Sequence, residues 1–270
     1  MQKINDLPVR KDHRSVKAAF FDIDGTLFSH RTCSIPESTL RALKVLHDKG
    51  ILCVIATGRH ISEMREMDFL KYGFDAYITL NGQSCLDRDL KTVFEIPMEG
   101  QSLKGLLDIF HGKDIPAILI TKDRMYINFV NEEVRLAHEE IHTSIPQIDT
   151  YSGETVCMGV LYCTKEQEAD ITEKIPGCSI TRWSRFGIDV LPGSGDKVAG
   201  IRKYLALQGI SHEETIAFGD GENDIGMLQY AGIGVALGNA GEEVKAAADY
   251  VTADIDDDGV WKALEHFHII

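Results

Sequence analysis

Two aspartates stand one residue apart in Asp22-Ile23-Asp24-Gly25-Thr26-Leu27, directly after the apolar stretch 16–21. On an extended chain, side chains two residues apart point the same way, so both carboxylates share a direction. In an open α/β sheet ligands bind beyond the carboxyl ends of the strands, and a turn at Gly25 frees backbone amides there. An Asp-Gly turn with a capping carboxylate accounts for the same residues without chemistry. Thr57-Gly58-Arg59 follow a second apolar run, 51–56. They offer a hydroxyl and an amide at a helix N-terminus, which is a cradle for phosphate or an ordinary turn with its N-cap. Lys197 opens a helix behind Gly193-Ser194-Gly195. The helix dipole disfavours a cation at that end, so a nearby anion would explain it; a solvated lysine is the alternative. Finally, Gly219-Asp220-Gly221-Glu222-Asn223-Asp224 crowds three carboxylates and an amide into one turn. Like charges ~4 Å apart repel by about 4 kcal/mol at an effective dielectric near 20, unless a cation lies between them. Oxygen ligands of this kind suit Mg²⁺, whereas an acid-rich helix N-terminus needs none.

These residues need elements that hold them at one edge. The run 16–21 reads as a strand, 36–49 as a helix stopped by Gly50, 51–56 as a strand, 61–71 as a helix and 77–80 as a strand. Continuous apolar strands separated by helices are the pattern of a parallel sheet covered on both faces. The rhythm returns with helices at 197–208, 223–230 and 242–248 and strands at 215–219 and 232–236. The middle is different. Strands at 117–121 and 125–130 flank a Lys-Asp-Arg turn, further strands fall at 156–163 and 179–183, and helices at 103–110, 132–142 and 166–175. That α+β stretch reads as a second domain inserted into the first, through loop-rich junctions at 81–88 and 184–196.

Length and composition agree with a globular enzyme-sized chain. At 270 residues, 44% hydrophobic and 26% charged, it is long enough for one large domain or two modest ones. A net charge of −14 argues against nucleic-acid or anionic-membrane binding. An anionic substrate stays compatible, because a bound divalent cation inverts the local sign. Asp254 and Asp256-Asp257-Asp258 read as a solvated stretch. Arg10, Lys11 and Arg14 precede no apolar run of signal or membrane-span length, which points to the cytoplasm. The six cysteines form no CxxC pair and read as free, mostly buried thiols.

Asp22-x-Asp24-Gly25-Thr26-Leu27, Thr57-Gly58-Arg59, Lys197 and Gly219-Asp220-Gly221-Glu222-Asn223-Asp224, in this order, resemble the haloacid dehalogenase superfamily of phosphatases. The likeness spans nearly the whole chain outside the middle segment. That segment resembles the large type IIB cap of the Cof-type branch. The resemblance implies a Rossmann-like parallel sheet with helices on both faces, formed by 1–83 and 185–270, and an inserted α+β cap at 84–184. It implies a magnesium-dependent phosphomonoester hydrolase acting through an aspartyl-phosphate on sugar phosphates or other small phosphorylated metabolites. Asp22 would be the nucleophile, and Asp24 the general acid and then base. Asp22, the backbone carbonyl of Asp24 and Asp220 would hold Mg²⁺. Asp224 and Asn223 would support that shell and position Lys197. Thr57, Gly58, Lys197 and Asn223 would bind the phosphoryl group. Asn81-Gly82 also resembles the family's pattern near the cap hinge.

Other classes remain open to the sequence. A phosphomutase of the same superfamily would carry the same core residues, and a catalytically idle binding module the same fold. His138-Glu139-Glu140-Ile141-His142 matches the HExxH zinc-protease pattern. It lacks a Gly-x-x-His continuation and also reads as an amphipathic helix with Val134, Ala137 and Ile141 inward.

Overall fold

Apolar runs bounded by Gly, Asp and Pro become strands of two separate sheets. The computed structural model describes residues 16–140, 143–193 and 195–270. From the start the elements are β1 (Ala18–Phe21), α1 (Glu37–Asp48), β2 (Leu52–Ala56), α2 (Ile61–Glu66), β3 (Ala76–Thr79), β4 (Ser84–Asp87) and β5 (Thr92–Glu95). The middle adds α3 (Gly100–Gly112), β6 (Ala117–Ile120), β7 (Met125–Ile127), α4 (Glu132–Glu140), β8 (Met158–Tyr162), α5 (Glu168–Lys174), β9 (Cys178–Arg182) and β10 (Gly187–Pro192). The last part holds α6 (Lys197–Gln208), β11 (Thr215–Gly219), α7 (Ile225–Tyr230), β12 (Ile233–Ala236), α8 (Glu242–Ala247), β13 (Tyr250–Val251) and α9 (Gly259–His266).

The first sheet has the order β13-β12-β11-β1-β2-β3-β4-β5. It is parallel from β13 to β3, and β4 and β5 add an antiparallel edge. Its strands alternate between two cores. Ala19, Phe21, Cys53 and Ile55 pack with Leu43 and Leu46 of α1 and Val260 and Leu264 of α9. Ala18, Phe20, Val54 and Ala56 pack with Ile201 and Leu205 of α6 and Met227 and Leu228 of α7. Phe21 and Phe218 stack at 5.1 Å and are fully buried. Each such side chain contributes roughly 1.5–3 kcal/mol of burial energy, which ties β1 to β11 at the level of the motifs.

The second sheet is antiparallel, in the order β7-β6-β8-β10-β9. One face packs on Leu106 and Ile109 of α3 and Ile171 of α5. The other packs on Val134 and Ala137 of α4.

Several expectations need correction. The junctions at 83/84 and 184/185 do not follow the sheets. β4 and β5 pair onto the first sheet, because only the short turn around Asn81 separates β3 from β4. β10 lies between β8 and β9 in the second, so the middle of the stretch 184–196, residues 187–192, is strand rather than loop. The helix expected at 61–71 breaks at Asp68, whose φ of 57° is left-handed, and a 3₁₀ turn, Phe69–Tyr72, follows. β13 and α9 lie beyond the elements read from the sequence. Among the described residues no helix is long and apolar enough to cross a membrane.

Candidate active site

Register alone brings three motifs together. Phe21 of β1 pairs with Ile55 of β2 on one side and Phe218 of β11 on the other. Asp22 therefore leaves the sheet level with Ala56 and Gly219, one residue before Thr57 and Asp220. Strands added after β1 run outward one way through β2 and β3, and those from β11 to β13 the other way. A crevice opens at such a reversal, at the carboxyl ends of the strands.

Lys197 arrives from behind. Asp196 caps α6 by accepting the Ala199 amide. The helix seats closely because Gly82 and Gly200 meet backbone to backbone; a Cβ on Gly82 would lie 2.3 Å from the Asp196 carbonyl. The fully buried Lys197 ammonium then donates to Asp22 Oδ1 and Asp224 Oδ1, both at 2.6 Å. Burial opposes its charge, yet the two carboxylates raise it above the ordinary lysine range. Burial pushes Asp22 well up, Lys197 opposes this, and Asp224 and Asp24 add to it.

Asp224 is saturated, since its Oδ2 accepts the Asp220 and Gly221 amides at 3.0 and 2.9 Å. Asp220 accepts Thr26 Oγ1 at 2.8 Å and Asn239 Nδ2 at 3.2 Å, and burial pushes it up to about 6. Carboxylate oxygens of Asp22, Asp220 and Asp224 converge within 4.8 Å, a hard-oxygen set that fits a divalent cation. Asp224 is tied to Lys197 and to two backbone amides, whereas Asp220 meets the side chains of Thr26 and Asn239.

Asp24 points elsewhere. Arg59 grips it with two donors, Nε to Oδ2 at 2.6 Å and Nη2 to Oδ1 at 2.9 Å, and His30 Nε2 lies 3.1 Å from Oδ1. Arg59 belonged to a recognised motif, but nothing in the string of letters paired it with Asp24; His30 carried no signal at all. The buried Thr57 accepts the Arg59 amide on its hydroxyl. Gly58 presents bare backbone to Asn81, whose Oδ1 would lie 3.2 Å from a Cβ there. Asn223 does not touch Lys197 as expected. Its Nδ2 instead donates to Asn81 Oδ1 at 3.2 Å, and Asp224 alone of that pair reaches the lysine.

The second sheet borders this crevice at two points. His60 Nε2 donates to the Thr121 and Lys122 carbonyls at the β6–β7 turn, both at 3.1 Å. Two carbonyl acceptors fix the proton on Nε2, so Nδ1 accepts the Ser62 amide. Burial lowers the His60 pKa. Asp189 of β10 accepts Asn81 Nδ2 at 3.1 Å. Although part of its surface stays open, surrounding protein pushes it up to about 7, with Asn81 opposing and Glu63 adding. Of the other polar cap residues, Arg124 is consumed by Asp149 and Glu154, and Arg182 by Glu168 and four backbone carbonyls.

The HExxH segment does not assemble a zinc site from His138. Its Nδ1 meets Thr143 Oγ1 at 2.9 Å and its Nε2 the Tyr162 hydroxyl at 2.7 Å, so both ring nitrogens are engaged. Ile141 and His142 lie outside the described residues.

Comparison with known proteins agrees with this geometry. A family profile described as haloacid dehalogenase-like hydrolase matches residues 19–264. The structure of BT1666 from Bacteroides thetaiotaomicron, a phosphatase of that superfamily, superposes with a TM-score of 0.87 at 32% identity, over 98% of this chain and 100% of the other. The subclass IIB sugar phosphatase BT4131 gives 0.82 at 38% identity, over 94% and 100%. The 5-amino-6-(5-phospho-D-ribitylamino)uracil phosphatase YcsE of Bacillus subtilis (strain 168) is 28% identical over 97% of this chain and 99% of its own.

Proposed function

The chain belongs to the haloacid dehalogenase-like hydrolases and is a phosphatase, and from that premise we propose that it hydrolyses small phosphomonoesters, sugar phosphates first among them, by way of a phosphoryl group carried on Asp22. One observation carries the reading: Lys197 bridges Asp22 and Asp224 at 2.6 Å each, with an Asp220 oxygen in the same cluster. A buried carboxylate held beside a cation is an oriented nucleophile. An Asp22 oxygen bonds to phosphorus as the ester P–O bond breaks, and the departing oxygen takes the proton from Asp24, which for this step is protonated and turned away from its Arg59 donors. Asp24 then takes a proton from water as the water oxygen attacks phosphorus, which releases inorganic phosphate and restores Asp22. Lys197 and Thr57 offset and orient the charge of the moving group, with the Gly58 amide and Asn223 beside them. Asp22, Asp220 and the Asp24 carbonyl would hold Mg²⁺, which neutralises phosphate charge when bound.

Sugar phosphates are favoured by two relatives whose substrates carry phosphate on a polyol: the sugar phosphatase BT4131 and the ribityl-substrate phosphatase YcsE. Release of inorganic phosphate from hexose and pentose phosphates tests the reading, and retention of phosphate in an isomeric sugar phosphate would mark a mutase instead. The six unbridged thiols support a reducing compartment such as the cytoplasm.

The cation makes two expectations. Excess EDTA silences the enzyme and added Mg²⁺ restores it; full turnover in EDTA would rule the metal out. Gly25 stands at φ +77°, and a Cβ there would lie 2.1 Å from Asp220 Oδ2. Gly25→Ala must displace that carboxylate, so half-saturating Mg²⁺ should rise about 10–100-fold in an activation titration. An unmoved titration would remove Asp220 from the metal shell.

A further inference from the structure

Along β10 the side chains alternate. Ile188 and Val190 enter the core beneath α3 and α5, while Leu191 joins the opposite, apolar face with Val160 and Tyr162. Asp189 shares the direction of Leu191. It is the one carboxylate that β10 carries, flanked in the strand by Ile188 and Val190. The hydrogen-bond partner of its side chain comes from the other sheet, Asn81 Nδ2 at 3.1 Å.

Asn81 is held on every side. Its backbone is left-handed at φ 50°, after Leu80 at 55°. Asparagine tolerates that region better than most residues, but it is still an uncommon conformation that its surroundings must impose. Its amide donates to the Thr57 carbonyl at 3.0 Å. Its side chain lies against Gly58 and accepts Asn223 Nδ2 on Oδ1 at 3.2 Å. Asn81 thus joins the Thr57 loop, the Asp220–Asp224 loop and the second sheet.

An amide has two ends of equal shape and opposite hydrogen-bonding sense. Asp189 Oδ2 accepts from Asn81 Nδ2, so Asp189 commits that end of the amide to itself and leaves Oδ1 for Asn223. Asn223 must then spend its own Nδ2 on Asn81, and its Oδ1 turns over Gly221, where a Cβ would be 2.8 Å away. We propose that Asp189 is a positioning residue: from the cap sheet it fixes which way the Asn81 and Asn223 amides face, and so makes a seated cap part of the phosphate side of the catalytic centre. This rests on the reading that Asn223 flanks the phosphoryl group. Asp189 touches no reacting atom itself.

The test compares Asp189→Leu, which removes the acceptor, with Asp189→Asn, whose carbonyl restores it. Both are assayed with Mg²⁺ on p-nitrophenyl phosphate and on a sugar phosphate. Asp189→Leu should lower kcat about tenfold or more on both substrates with KM little changed, the scale seen when a supporting partner is lost. Asp189→Asn should recover most of that loss. Combining Asp189→Leu with Asn81→Ala should cost no more than the worse single variant. Unchanged kcat in Asp189→Leu, equal damage in Asp189→Asn, or a loss confined to KM on one substrate would each overturn the proposal, the last by making Asp189 a leaving-group contact. If Asp189→Leu does not fold, Asn81→Ala takes its place, and an unaltered kcat there is equally decisive. Asp22→Asn run alongside separates the two readings: its inactivity beside an unaffected Asp189→Leu sinks the positioning alone.

Discussion

Asp22→Asn is expected to lower turnover by at least about a thousandfold while the fold stays in place, because an amide cannot form the acyl phosphate and the substitution is isosteric. Lys197 keeps Asp224 as a partner at 2.6 Å, so no buried charge is left alone. Thermal unfolding should stay within a few degrees of the parent. Acid quenching during turnover should trap phosphate on the parent chain and none on the variant. Near-normal turnover in Asp22→Asn would move the nucleophile to another residue.

Lys197→Met has a different signature, in which stability and activity fall together. The lysine is fully buried between two carboxylates. Removing one member of such a cluster typically costs about 3–5 kcal/mol, since the other charges stay buried without compensation. One term runs the other way, as a cation at the first position of α6 opposes the helix dipole. Relieving that returns only about 0.3–1 kcal/mol, so destabilisation wins. The urea midpoint should drop accordingly, and turnover by about a hundredfold or more as a donor to the developing charge disappears. If both measurements match the parent, Lys197 neither neutralises the carboxylates nor binds phosphate.

What the sequence disclosed and what it withheld divide along physical lines. The strand-end motifs were legible because each packs its chemistry into a few consecutive letters after an apolar run. Parallel pairing then sets Phe21 beside Ile55 and Phe218 without further information. Contacts made across long separations were not legible. Arg59 with Asp24 joins residues 35 apart, and Asp189 with Asn81 residues 108 apart. β10 was hidden because an aspartate at its centre and a proline at its end look like loop. α9 was hidden differently: the acidic run before it suggested solvent, although Val260, Ala263, Leu264 and Phe267 repeat at helical spacing and are buried. The break at Asp68 left no mark in the apolar pattern, because aspartate is ordinary on a helix surface.

Arg59 and His60 are consecutive, and each looks to a different part of the molecule. Arg59 holds Asp24, while His60 holds the carbonyls at the β6–β7 turn. A single peptide bond therefore links the restraint on a side chain at the catalytic edge to the restraint on a distant hairpin. Motion of that hairpin that preserves the His60 contacts must carry with it the backbone from which Arg59 extends. The dipeptide thus fastens both sheets through two adjacent residues, with neither a long helix nor a chain of packed side chains between the two anchor points.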